Sequence, residues 1–228
     1  MIDIPRAFTY AFDDPQWLPK LLMVGIVTLA SLVLTPLLIG IAGFAILLGY
    51  EVELIRNIRR GEVHPLPGWG DFGSLLSLGI NPLIAGVAYN LPNLFIGLII
   101  AVITFTASDG LLSGGLVMLA LCCFLPLLIV YNIAIQPVFT LALGRYAEDQ
   151  RLGVFFQFSQ LIGAVRSRTD LLVQWLLGSV IALVLLGLVE AIPCIGWVVG
   201  LTFTLPILGW LNGQYAAAAL DKGKRKNA

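Results

Sequence analysis

Hydrophobic and polar positions fall into long blocks along this chain. Residues 20–50 are almost wholly apolar, interrupted by Thr35-Pro36 and by Gly40 and Gly43. As one straight helix they would run about 45 Å, past the ~30 Å hydrocarbon core of a bilayer. A second block opens at Asn81-Pro82 and continues to about Thr106, with Pro92 as a kink point flanked by Asn90 and Asn93. A third covers Leu111 to Leu143 and carries Pro126 and Pro137. Leu171 to Val189 and Trp197 to Leu220 make the last pair, on either side of the turn Ile192-Pro193-Cys194-Ile195-Gly196. Blocks this long and this apolar predict an all-α integral membrane protein.

The stretches between the blocks have a different texture. Ile2 to Pro19 mixes Phe8, Tyr10, Phe12 and Trp17 with charges, a composition that favours the headgroup layer. It reads as a short interfacial segment, not a signal peptide, because Asp13 and Asp14 stand where positive charge would precede an apolar core. The first span is therefore expected to be retained as an anchor. Residues 61–79 hold the breaker-rich turn His64-Pro65-Leu66-Pro67-Gly68-Trp69, then a segment from Asp71 to Leu78 that reads as a brief interfacial helix capped by Asp71. In residues 144–170, Phe155, Phe158, Leu161, Ile162 and Val165 share one helical arc, while Gln157, Gln160, Ser167 and Arg168 face away. That pattern fits a helix lying in the interface plane or a helix packed on the end of the bundle.

Charge converts the blocks into a topology. The chain has 13 Lys and Arg against 13 Asp and Glu, so net charge gives no electrostatic reason to expect nucleic acid as a partner. All 13 basic residues lie in four patches, at 6–20, 56–60, 145–168 and 222–226. None lies near residues 35–43, 108–110 or 193–196. Under the positive-inside rule this partition gives three hairpins, up to six transmembrane or re-entrant helices, and both termini on the cytoplasmic side. Residues 20–50 then form a tight hairpin or a re-entrant pair, because Arg6 and Lys20 before them and Arg56, Arg59 and Arg60 after them belong on one face. A single polytopic domain over 1–228 follows, with pattern-related units at 1–60, 61–145 and 146–221. Arg56, Arg59 and Arg60 act as a cytoplasmic anchor, either snorkelling from a solvated helix end or forming an anion or partner site. Glu53 and Arg56 are spaced to pair on that helix.

Composition supports the membrane assignment: 59% of residues are hydrophobic and 11% charged, where soluble domains have roughly 25% charged residues. Chemistry is scarce. No nucleophile, metal-ligand or phosphate-loop motif occurs, and His64 is the single histidine, so no catalytic residue, cofactor or metal is expected. Cys122 and Cys123 read as small apolar core residues. Glu51, Glu53 and Glu190 fall near predicted helix ends. The strongest polar candidates are Asn132, Gln136, Asn212 and Gln214, amides in the cytoplasm-side halves of their helices. Such amides also serve as helix-to-helix hydrogen-bond partners, at about 0.6 kcal/mol each.

Three stretches carry a resemblance. AFDDPQWLPK at residues 11–20, LLGYEVELIRNIRRGEVHPLPGWGDFGSLLSLG at 47–79 and FTLPILGWLNGQY at 203–215 are similar to the DUF4013 family of bacterial and archaeal membrane proteins. Within the second, Glu62, Leu66, Pro67, Trp69 and Asp71 match the family's turn. Trp210 and Asn212 depart from a more histidine-containing pattern. The resemblance implies a polytopic protein of a prokaryotic inner or plasma membrane, with no assigned reaction. With chemistry missing and packing surfaces abundant, the expected role is a structural, accessory or scaffolding component of a membrane complex, not an enzyme. Its partners would be membrane lipids and other membrane-protein subunits. The alternative is a small transporter, channel or lipid-handling protein that uses the kinked helices.

Overall fold

The computed structural model describes residues 2–106 and 110–224. The chain opens with α1 (Ile4–Thr9), whose first turn is capped by Asp3 accepting the Arg6 N–H at 3.1 Å. A 3₁₀ turn at Tyr10–Asp13 leads into α2 (Trp17–Leu34). A further 3₁₀ turn at Thr35–Leu37, followed by Leu38 at φ 62, reverses the chain into α3 (Ile39–Arg60). Residues 20–50 therefore form the expected tight hairpin, with its turn at the start of the 35–43 window. α3 ends at Gly61, whose φ of 72 closes a Schellman cap. There the Glu62 N–H donates to Asn57 O and the Gly61 N–H to Ile58 O.

The next boundaries differ from those predicted. A brief helix over 71–78 and a separate run from 81 to 106 were expected. Instead, α4 (Phe72–Tyr89) is one helix that passes through Pro82, and the break falls at Asn90, before α5 (Leu91–Thr106). Asp71 does cap α4, accepting the Ser74 N–H at 3.0 Å. Pro82 is tolerated because a proline removes a single backbone donor, and here its ring packs into the buried face of α4. Pro92 has the stronger effect because it stands in the first turn of α5, where the missing N–H has no helical partner to lose. The Asn90 side chain also draws back onto Gly86 O at 2.9 Å.

α6 (Gly110–Asp149) extends over 40 residues through Pro126 and Pro137, further than the apolar run ending at Leu143 suggested. The expected turn at 108–110 falls mainly on residues outside the described set. From Gly114 to Gln136 only Ala120 is buried, and Cys122 and Cys123 are exposed rather than in a core. A 3₁₀ turn at Leu152–Phe156 and α7 (Phe158–Arg166) follow. They divide the predicted amphipathic stretch: Phe155 and Leu161 are fully buried, whereas Phe158 and Ile162 stay exposed. α8 (Thr169–Glu190), a turn with Cys194 at φ 65, and α9 (Ile195–Lys224) complete the chain.

Among the described residues there is no strand, and five helices are long and apolar enough to cross a membrane. These are α2 with its terminal turn, α4, α6, α8 and α9. α3 has the length but carries Glu51, Glu53 and three arginines; α5 is apolar but only 16 residues long. The protein is an all-α, multi-pass membrane protein.

α3 and α9 run side by side in the same direction, with Leu54 against Gly209 and Ile58 against Gly213. α2 runs the opposite way, with Gly25 against Thr202 and Tyr10 bonded to Pro206 O at 3.0 Å. The turns at 35–38 and 191–194 therefore share one end of the bundle. At the other end α3, α6 and α9 finish together, bringing Gly144 against Ala216 and Leu220. The main core fills the space between these helices with Val52, Ile55, Tyr146, Phe155, Trp175, Leu211 and Tyr215.

Candidate functional site

The residues carrying the family resemblance meet in space. Lys20, at the start of α2, donates to Asp14 Oδ2 at 2.7 Å and to Leu66 O at 2.8 Å. Its own carbonyl accepts from Trp69 Nε1 at 2.9 Å. Trp69 stacks on Tyr50 with ring centroids 4.7 Å apart, and Asp71 caps α4 two residues later. The Pro/Trp loop between α3 and α4 is thus a clamp across the first hairpin. Burial pushes the Asp14 carboxyl up, but hydrogen bonds from Lys20 and the Gln16 N–H, with the charges of Lys20 and His64, outweigh it. Asp14 is held below its ordinary value of 3.8.

The arginine cluster forms a second brace. Arg56 Nε donates to Ala147 O at 2.7 Å, and Nη1 pairs with Glu53, as the spacing predicted. Arg59 donates to Gly144 O and pairs with Glu148 at 2.9 Å. The Arg59 side chain is 5% exposed, so it turns onto α6 and does not extend outward. Cations placed on the last carbonyls of α6 complement its helix dipole. Arg60 remains exposed, beside a cleft of about 560 Å³ that it shares with Arg56, Arg59 and Gln150.

A groove of about 730 Å³ is bounded by α3, α6, α8 and α9, with Thr28 of α2 and Tyr89 of α4 at its edges. Its walls are mostly apolar, from Leu47, Phe139, Leu176, Leu205 and Leu208. Ile133, Val180 and Leu183 form an exposed apolar rim. At one place the wall turns polar. Trp175 Nε1 donates to Asn212 Oδ1 at 2.9 Å, and Asn212 Nδ2 donates to Glu51 Oε1 at 2.8 Å. This relay ties α8, α9 and α3 together. It lies six residues into α8 and nine before the end of α3, roughly 9 to 13 Å inside the basic end of the bundle. Ser179 Oγ, also in the wall, is buried without a hydrogen-bond partner.

Three of the four predicted amides line this groove, and one does not. Asn212 is in the relay. Asn132 is consumed by a reciprocal pair with Asn93, 3.0 Å each way, and by a bond to Leu128 O. Gln136 faces the groove with its carboxamide unengaged among the described residues. Gln214 is elsewhere: its Oε1 accepts the Asp3 N–H at 2.6 Å, and Gln174 likewise accepts the Ile2 N–H at 3.0 Å. Both glutamines dock the N-terminal segment.

The sequence places Glu51 near a predicted helix end, and the structure corrects this. It is the carboxylate of the groove. Its partner Asn212 is 161 residues away, beyond any local pattern. A local signal did exist. Glu51 sits between Tyr50 and Val52, with Leu54 and Ile55 beyond, all four fully buried. A charge so surrounded cannot reach solvent without a gap in the packing, and the groove is that gap.

Among known proteins, the model of a family described as protein of unknown function (DUF4013) matches residues 29–194. That range includes the Tyr50-to-Asp71 stretch but neither residues 11–20 nor 203–215. No curated protein and no solved structure matches the chain.

Proposed function

Because the chain belongs to the DUF4013 family, whose description names no reaction, we propose a function from the groove: lipid handling, in which one amphiphilic molecule enters sideways from the bilayer. The observation that carries this is the contrast between rim and wall. Ile133, Val180 and Leu183 are exposed and apolar, while Glu51, Asn212 and Ser179 wait behind them. A water-soluble ligand would meet an apolar rim first; an alkyl chain would meet its own kind. The reading is non-enzymatic, since the groove holds no nucleophile–base pair among the described residues.

The protein resides in a prokaryotic plasma membrane with both termini cytoplasmic. The gathering of Arg56, Arg59, Arg60 and Arg145 at one end of the helices supports this orientation. Native mass spectrometry after purification in a mild detergent tests the lipid reading. One tightly held amphiphile per chain is expected, and Val180→Trp, which fills the rim, should displace it. A chain that carries none across several mild detergents contradicts it.

A second reading has its own support. Residues 91–105 of α5 and 114–136 of α6 present Phe95, Leu98, Met118, Leu127 and Val130 outward, with little of the described chain packed on them. That surface suits an accessory subunit of a larger membrane assembly. A stoichiometric protein partner lost on Leu98→Asn and Leu127→Asn would favour it.

A further inference from the structure

Every formal charge in the groove wall has one sign. Glu51 and Glu190 line it, and no lysine, arginine or histidine does. The acceptors left over point the same way. Among the described residues only Asn212 donates to the Glu51 carboxylate, and it uses Oε1, so Oε2 is unused. Ser179 Oγ is buried without a partner, and the Gln136 carboxamide is unengaged. Polar groups in this setting are costly to leave unmatched, and a carboxylate is the costliest.

We infer that the groove receives an amphiphile with a protonated amine head, its ammonium on Glu51 Oε2 and its alkyl chain along the apolar wall. The inference rests on the lipid-handling reading and adds the headgroup to it. An ammonium brings one positive charge and three donors, which Glu51 Oε2, Ser179 Oγ and Gln136 Oε1 can accept. A neutral hydroxyl head offers one donor and leaves the carboxylate without a counter-charge. A phosphate-only or carboxylate head is repelled by Glu51 in a wall with no basic residue to offset it. The chain half of the ligand is required as well, because a bare polyamine would have to cross the apolar rim with nothing to bury there.

The test uses the full chain in dodecyl maltoside, titrated by native mass spectrometry with dodecylamine, dodecanol and dodecanoate. Dodecylamine should bind at least about tenfold more tightly than dodecanol, and dodecanoate should not compete. Glu51→Gln, which keeps the size and an acceptor for Asn212, should erase the amine preference. Two further arms separate the sources of the head. Phosphatidylethanolamine should outcompete phosphatidylcholine, whose methylated head has no N–H donor, and spermidine alone should not bind. Equal binding of the three dodecyl probes, or an amine preference that survives in Glu51→Gln, overturns the headgroup assignment while the lipid reading stands. Spermidine binding as tightly as dodecylamine overturns the amphiphile. Failure of every chain-bearing probe overturns the lipid reading itself.

Discussion

Lys20 holds together three parts of the chain that lie far apart in sequence. Its ammonium joins Asp14 to the Leu66 carbonyl, and its backbone carbonyl takes the Trp69 indole N–H. The Asp14 and Lys20 side chains are 5% and 17% exposed, so solvent screens the pair little. Asp14→Asn is expected to cost about 2 kcal/mol, a drop of roughly 4–8 °C in the melting midpoint in detergent. The pH dependence has a definite sign. A carboxyl whose folded value is depressed contributes its full stability above the unfolded value, ordinarily 3.8, and loses it as pH falls through the folded value. The wild-type melting midpoint should therefore decline on acidification below about pH 4, and the gap to Asp14→Asn should close there. A gap that stays constant from pH 7 to pH 3 would exclude the pair as its cause. The sequence displayed Asp14, Lys20, Leu66 and Trp69 as motif residues without displaying that they touch. Glu51 was less legible still, since hydropathy ranks it as a helix-end charge and only its distant partner shows otherwise.

At the scale of elements, the closest approach is between α3 and α4. A Cβ added to Gly79 would lie 2.7 Å from Gly49 N and 2.7 Å from the Ala45 carbonyl carbon, a backbone clash that no rotamer relieves. Gly79→Ala should destabilise by about 1–3 kcal/mol through forced separation of the two helices. Gly97→Ala in α5 is the matched control, because nothing lies within 4 Å of its added Cβ. There the change should be neutral or stabilising by about 0.5–1 kcal/mol through helix propensity. Thermal midpoints of both variants in one detergent decide the matter; equal losses would contradict the packing. Element existence was readable from the apolar blocks, and the 35–38 turn from charge at both flanks. The break at Asn90 falls at the kink point read at Pro92, whereas the passage of α4 through Pro82 was not readable, since the two prolines look alike in sequence and differ only in where each falls along a helix. The extension of α6 past Leu143 was hidden for a related reason. Arg145, Glu148 and Asp149 look like a loop until α3 is seen to supply the arginines that pair with that end.

For the whole molecule, the partition of charge along the chain becomes a partition in space. The turns at 35–38 and 191–194 lie opposite the arginine brace, and among the described residues Glu190 is the one charged residue beside them. A membrane-impermeant maleimide should therefore label the exposed Cys194 in intact cells carrying Cys122→Ala and Cys123→Ala. Glu62→Cys, in a chain also lacking Cys194, should label only after permeabilisation. Labelling of both from outside would overturn the orientation. The separation of the basic end of the bundle from the 35–38 and 191–194 turns was thus the most legible property of this sequence, because charge is a local mark. The groove was the least, because six helices contribute to it and Glu51, Ser179 and Asn212 lie far apart in the chain.

The docking of the N-terminal segment sets an order on biosynthesis. Ile2 and Asp3 bond to Gln174 and Gln214, and Tyr10 to Pro206, so these residues wait for α8 and α9 to be made. Contacts across 172, 211 and 196 residues cannot form before α8 and α9 have been made. The first hairpin must enter the bilayer unlatched, and a nascent chain that stalls before α9 exposes a free amphipathic leader. Docking of residues 2–10 onto α8 and α9 is therefore a late step in assembly of the bundle.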